Sequence, residues 1–151
     1  NIILILMFIG GCAGSTGGAI KNIRILILLK RASKEFQKIL HPRAVTPVHL
    51  GDKKISDEVV NNITSFFLLY IIIFVVCTLI MTALGLYMIS ALASVAATLG
   101  NVGPGLGLVG PAQNYAFIPP FGKIILCLCM LLGRLEIYTV LVLLVPEFWK
   151  K

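Results

Sequence analysis

The sequence predicts an all-α integral membrane fold in which one short helix enters the bilayer and stops inside it. Three observations predict it. Of 151 residues, 58% are hydrophobic and 13% charged, with a mean hydropathy of +1.00, whereas soluble domains carry about 25% charged residues. From Ile63 to Ile89 the only ionisable side chains are the phenols of Tyr70 and Tyr87 and the thiol of Cys77, which is enough apolar helix to cross roughly 30 Å of hydrocarbon. Residues 90–105 then read Ser-Ala-Leu-Ala-Ser-Val-Ala-Ala-Thr-Leu-Gly-Asn-Val-Gly-Pro-Gly, an apolar helix running into residues that cannot continue it.

The formal charge of +7 is concentrated rather than spread. Lys21, Arg24, Lys30, Arg31, Lys34, Lys38, Arg43, Lys53 and Lys54 form one block opposed only by Glu35 and Asp52, and the positive-inside rule assigns that block to the cytoplasmic face. A nucleic-acid surface needs stacking aromatics among its cations, and this block has only Phe36, so nucleic acid is excluded as a partner. Cys12, Cys77, Cys127 and Cys129 lie in apolar or glycine-rich surroundings and read as small packing residues. Cys127 and Cys129 would point to opposite sides of a helix and cannot share a metal.

Residues 1–29 begin with Ile2 to Ile9, the tail of an apolar helix, and the chain start reads as a fragmentary one falling inside a membrane span. The nine residues Gly10-Gly11-Cys12-Ala13-Gly14-Ser15-Thr16-Gly17-Gly18 contain five glycines, each costing about 1 kcal/mol in a helix, so continuous helix is not expected. Lys21 and Arg24 mark the cytoplasmic boundary just beyond, which places this break in the inner half of the bilayer. It is not a phosphate cradle, because the Gly-Lys-Ser/Thr core is absent and Lys21 is out of register. Two readings stay open: a flexible intramembrane loop able to occlude a pore, or close helix packing through small-x-x-x-small spacing.

Residues 30–57 form a polar cytosolic linker, a short surface helix followed by turns at His41-Pro42, Thr46-Pro47 and Leu50-Gly51-Asp52. Ser56-Asp57-Glu58 starts the outward-going span 58–89 with acids in its first turn. In the segment 90–107, the stretch from Ser90 to Leu99 rises only about 15 Å, half of what crossing requires. Its glycines and Pro104 leave backbone groups unpaired, which survives at membrane depth only against protein or a water-filled cavity. Carbonyls released there can replace water around a cation, and the negative end of the half-helix dipole aims at the same place. This suits the re-entrant loop of an ion channel, with Gly100, Asn101, Val102 and Leu99 offering carbonyls and Gly103 offering backbone freedom. The chemistry is coordination without bond making, so no enzyme is expected.

Residues 108–120 make an irregular connection on the extracellular side, and 121–149 form the last span, closed by Trp149 and followed by Lys150 and Lys151. Both ends of the hairpin thus carry positive charge, as two spans require. Ser90, Ser94 and Thr98 place hydroxyls on one face of the half-helix, while Ala91, Ala93, Ala96 and Ala97 admit close neighbours. Gly105 to Gly110 matches the dinucleotide pattern G-x-G-x-x-G, but prolines bracket it and no acid follows before Glu136. Arg134 lies about 20 Å down the last helix from Phe121 and cannot readily snorkel to either surface. Glu136, two residues on, points elsewhere. Arg134 either pairs with a helix outside this chain or projects into an ion path and repels cations.

Four blocks carry a family resemblance: Gly10 to Lys21, His41-Pro42-Arg43-Ala44-Val45, Ala96 to Gly105 and Gly133-Arg134-Leu135-Glu136. In this order they resemble the C-terminal part of the Trk-type potassium uptake proteins of the bacterial Trk/Ktr superfamily, over essentially the whole chain. The resemblance implies four linked helix–pore-loop–helix repeats around a potassium-channel-like pore, with this chain holding the end of the third and all of the fourth. It implies that Gly10 to Gly18 is an intramembrane gating loop, that Gly103 is the signature glycine of a potassium filter, and that Arg134 faces the loop beneath it. It also implies a bacterial inner-membrane homodimer, potassium as the bound ion, the remaining repeats of the same pore as partners, and a cytosolic TrkA-type nucleotide-binding regulator. The family pattern often has a further Asn at Gly100 and a further Gly at Ala19, departures expected to have small effects.

Two rivals remain. A discontinuous-helix secondary transporter would need ionisable residues beside the break, and none lies between Glu58 and Lys123 apart from tyrosines and cysteines. A non-transporting membrane subunit would use the glycines for assembly alone. The basic block 30–54 can meet a soluble regulator or anionic membrane lipid, the latter at about 1 kcal/mol per cation.

Overall fold

The computed structural model describes residues 2–11, 18–40, 49–50, 53–135 and 137. Within them the order is α1 (Ile2–Ile9), α2 (Asn22–Leu40), a two-residue antiparallel ladder of β1 (His49–Leu50) with β2 (Lys53–Lys54), α3 (Asp57–Ala83), α4 (Met88–Leu99), a 3-10 turn (Gly107–Val109) and α5 (Pro120–Arg134).

Among the described residues α3 is the one helix long and apolar enough to cross a membrane. Ser56 adopts the extended N-cap conformation, and Asp57 and Glu58 sit in the first turn, where the helix dipole favours acids. The span ends at Ala83, six residues before the expected limit at Ile89. The reason is local: Gly85 takes φ +92°, its N–H donates to Thr82 and the N–H of Leu86 to Met81. This Schellman turn satisfies the last carbonyls and sends the chain back. Met88 and Ile89, assigned by their apolarity to the span, open α4 instead.

The basic segment departs from expectation in a second way. A boundary between membrane helix and linker was expected at residue 30, but α2 runs continuously from Asn22 to Leu40. Its apolar face explains this. Ile27 is buried with Val60 of α3, and Ile23, Ile55 and Ile63 pack around them. Arg31 extends from the same helix to donate to Thr64 Oγ1 at 2.7 Å and Asn61 Oδ1 at 3.0 Å. Arg24 lies 4.2 Å from the centre of the Phe66 ring, a cation–π contact.

The core is organised around α4. Ala91, Ala93, Ser94, Val95, Ala97, Thr98 and Leu99 are all inaccessible to solvent, and α1, α3, α5 and the 3-10 turn all touch this helix. Small side chains explain how one helix takes so many neighbours, because they let the backbones approach closely. Phe66, Tyr70, Phe74 and Met81 of α3, Met7 of α1, and Ile125, Leu126 and Cys129 of α5 fill the surrounding layer. Phe8 sets its ring edge-on to Tyr70 and Phe74, at centroid distances of 6.1 and 4.6 Å. On α5, Cys127 is exposed and Cys129 buried, the opposition that their spacing predicts.

Gly85 has open space around the position of a Cβ, so only its backbone conformation resists substitution. Gly85→Ala in the complete protein should cost about 1–2 kcal/mol through the left-handed turn. A lowered unfolding midpoint in detergent is the expected measurement.

Candidate functional site

The last turn of α4 ends on the same backbone device as α3, with a different residue in the critical place. Gly100 is the C-cap; the N–H of Asn101 donates to Thr98 at 3.1 Å and that of Val102 to Ala97 at 2.9 Å. Asn101 therefore occupies the left-handed position of a Schellman motif, with φ 52°. The turn consumes the carbonyls of Ala96, Ala97 and Thr98. Beyond it, no backbone N–H among the described residues donates to the carbonyls of Leu99, Gly100, Asn101 or Val102. Gly103 follows at φ +100°, and its carbonyl accepts the Tyr115 hydroxyl at 2.9 Å. Leu99 is fully buried while residues 101–104 are exposed on the surface of the chain. A buried helix thus delivers an exposed, open run of backbone beside its negative dipole end.

Asn101 ties this run to α5. Its side-chain amide donates to the Met130 carbonyl at 3.2 Å. A Cβ added to Gly133 would collide with the Leu99 carbonyl oxygen and lie 2.9 Å from Asn101 Nδ2. A Cβ added to Gly18 would collide with that same amide and lie 2.8 Å from the Gly133 carbonyl. Three backbone segments therefore meet at one point: the end of α4, the last turn of α5 and the exit of the glycine-rich loop.

The loop is pinched where it leaves the helices. Gly10, at φ +68°, packs directly against Ala19, and the Asn22 N–H donates to the Gly11 carbonyl at 3.2 Å. A Cβ added to Gly100 would lie 3.2 Å from the Met7 carbonyl of α1 and 2.9 Å from that of Ala96, so the asparagine that the family pattern often has here would need these backbones to shift, a larger effect than the sequence suggests. Of the proposed gate residues, Gly10, Gly11 and Gly18 are described, while Cys12, Ala13, Gly14, Ser15, Thr16 and Gly17 lie outside the described residues. Arg134 is exposed and ends α5 next to Gly133. The continuous span expected over 121–149 is interrupted there, because Leu135 leaves helical geometry at φ −85°, ψ 8°. Glu136 and residues 138–151 lie outside the described residues.

The hydroxyl stripe serves the helix itself. Ser94 donates to Ala91 at 2.9 Å, Thr98 to Ser94 at 2.8 Å, and Ser90 accepts the Leu108 N–H at 3.5 Å. Polar groups are thereby satisfied inside an apolar layer at no cost in helix spacing. Gly105 to Gly110 folds into the 3-10 turn, closed by Gly105 N–H to Val109 at 2.8 Å, and not into the strand-turn-helix that dinucleotide binding requires. Among the described residues no three His, Cys, Asp or Glu side chains gather as metal ligands. Two participants were not singled out from the sequence for this geometry: Gly133, whose signal is a glycine immediately before a charge in an apolar helix, and Tyr115, which has no local signal. Burial pushes the Tyr115 phenol above its ordinary range and keeps it a donor.

A family model described as TrkH, cation transport protein, matches residues 1–151. The chain is 46% identical over 150 residues to the Trk system potassium uptake protein TrkH of Salmonella typhimurium, covering 99% of this chain and 31% of that protein. It is 38% identical over 148 residues to TrkG of Escherichia coli, covering 98% of this chain and 30% of the relative. The crystal structure of the potassium transporter TrkH from Vibrio parahaemolyticus superposes with a TM-score of 0.87 at 46% identity, covering 98% of this chain and 31% of that one. The chain thus spans about a third of the length of these relatives.

The three-way contact has a direct consequence. Gly133→Ala must push α5 away from the Leu99 carbonyl and should cost about 1–3 kcal/mol, the usual range for overpacking. Cys127→Ala, on the exposed side of the same helix, should be near neutral. Paired thermal unfolding of the two variants in detergent checks the difference.

Proposed function

Because the chain belongs to the TrkH family of cation transport proteins, we propose that it supplies one quarter of a potassium-conducting pore in the bacterial inner membrane. The carbonyls of Leu99, Gly100, Asn101, Val102 and, at the outer end, Gly103 coordinate the dehydrated ion, and Gly103 also supplies the backbone freedom that the turn outward needs. The observation that carries this reading is the exposed backbone at residues 101–104, whose preceding carbonyls receive no backbone N–H among the described residues. Such oxygens replace an ion's hydration shell, and selectivity follows from their number and field. In this reading α3, α4 and α5 are the outer helix, pore half-helix and inner helix of one repeat, and α1 ends the preceding one. The other repeats, and a second copy of the whole protein, complete the assembly.

The gate lies directly beneath. Gly18 and Gly133 both lie against Asn101, so the loop exit at Gly18 and the end of α5 that carries Arg134 flank the inner end of the coordinating segment. A cation passing a fixed guanidinium in a narrow, poorly hydrated pore meets several kcal/mol of repulsion. Movement of the loop or of Arg134 relieves it. The basic segment 30–57 faces the cytoplasm and receives the regulator, a TrkA-type nucleotide-binding protein, with anionic lipid as a competing contact.

Gly103→Ser in the complete protein should relax the preference for potassium over sodium while protein levels hold. Unchanged selectivity in flux assays at normal expression sinks the filter assignment. Arg134→Ala should raise potassium flux and lessen its dependence on the regulator; a variant that reaches the membrane and conducts less than the parent makes Arg134 a structural charge.

A further inference from the structure

We propose that Tyr115 is a positioning residue for ion selectivity, holding the outer end of the filter by donating its phenol hydroxyl to the Gly103 carbonyl. The proposal rests on the filter reading above. The Gly103 carbonyl precedes Pro104, so the next residue has no N–H, and Gly103 itself stands at φ +100° with nothing within 4 Å of a Cβ position. A glycine in open space is the residue least able to fix the direction of its own carbonyl. The fixing contact comes from outside, at 2.9 Å.

Tyr115 is itself anchored at several points. Its ring packs against the core around α4, and its carbonyl accepts the Ile118 N–H at 3.2 Å. Ile118 is buried. The neighbouring Ala116 donates to Asn114 Oδ1 at 3.0 Å and accepts Lys123 Nζ, from the first turn of α5, at 3.1 Å. The connection after the filter is therefore a strap running from α5 through Lys123, Ala116 and Tyr115 to Gly103. The strap has two effects on a passing ion. It fixes one oxygen of the ring of dipoles in direction, and it spends part of that oxygen's field on the phenol proton. A released carbonyl swings inward and adapts to a smaller cation, which erodes discrimination against sodium.

Tyr115→Phe in the complete protein removes the hydroxyl and keeps the ring. The potassium-to-sodium flux ratio should fall about fivefold, equivalent to about 1 kcal/mol at 1.4 kcal/mol per tenfold, with the maximal potassium flux and the unfolding midpoint close to the parent's. Lys123→Met, which slackens the strap and leaves the phenol in place, should shift the ratio in the same direction by less. Gly103→Ser is measured alongside to separate the two readings. A Tyr115→Phe ratio equal to the parent's, while Gly103→Ser changes it, overturns the strap and leaves the filter standing. Unchanged ratios in both overturn the filter and the strap with it. If Tyr115→Phe does not reach the membrane, an unchanged ratio in Lys123→Met overturns the proposal.

Discussion

Ending a helix in the middle of an apolar layer leaves its last carbonyls without water, and the turn at Asn101 is how this chain meets that requirement. The 6→1 and 5→2 bonds from Val102 and Asn101 close off Ala97 and Thr98. That closure needs one residue with positive φ, and Asn101 supplies it at 52°. The rest of the arrangement depends on this turn. It stops α4 at Leu99, directs the following backbone outward, and brings Leu99 and Asn101 against α5 and the end of the glycine loop. A helix continued by one more turn would bury the open segment and separate those three elements.

The Schellman turns that end α3 and α4 make the choice of residue intelligible. At the end of α3, Gly85 has no atom near its Cβ position, and glycine serves because it adopts the conformation without strain. At the end of α4, asparagine takes the same conformation at some cost, and the amide that it gains reaches the Met130 carbonyl. Asparagine is one of the few non-glycine residues that visit this region readily. A glycine at position 101 would end the helix equally well and lose the hydrogen bond to α5. The side chain therefore converts a terminator into a crosslink, and that crosslink holds the open backbone after α4 to the helix carrying Arg134.

Much of this was legible in the chain itself, for reasons that can be stated. The half-helix and its break followed from a length argument and from Gly100, Gly103 and Pro104, whose effects are local. The division between α3 and α4 was misplaced because Tyr87, Met88 and Ile89 are as apolar as a span requires, and hydropathy does not register the backbone sign of Gly85. The extent of α2 was missed because Ile23, Ile27 and Arg31 find their partners on α3, about 30 positions away. Tyr115 was overlooked for the same reason, since its partner is a backbone oxygen in another segment. Charge placement marked Arg134 at once, because an arginine deep in an apolar run is costly wherever it sits. It did not reveal that the helix breaks beside it.

The glycines on either side of Asn101 have different jobs from those that turn the chain. Gly18 and Gly133 are placed so that any side chain would strike Asn101 or the backbone of the facing segment. At this junction the Asn101 amide and the Gly133 backbone stand against Gly18, and the Leu99 carbonyl stands against Gly133, so a displacement of the loop exit is passed to close-packed neighbours. On the proposed reading, a loop that moves to open the pore must therefore shift against Asn101 itself, and through the Met130 contact against α5. Gating and coordination then share one rigid junction. A gate proposed at this junction needs no lever as long as α2, because the loop exit already lies against the segment that follows α4.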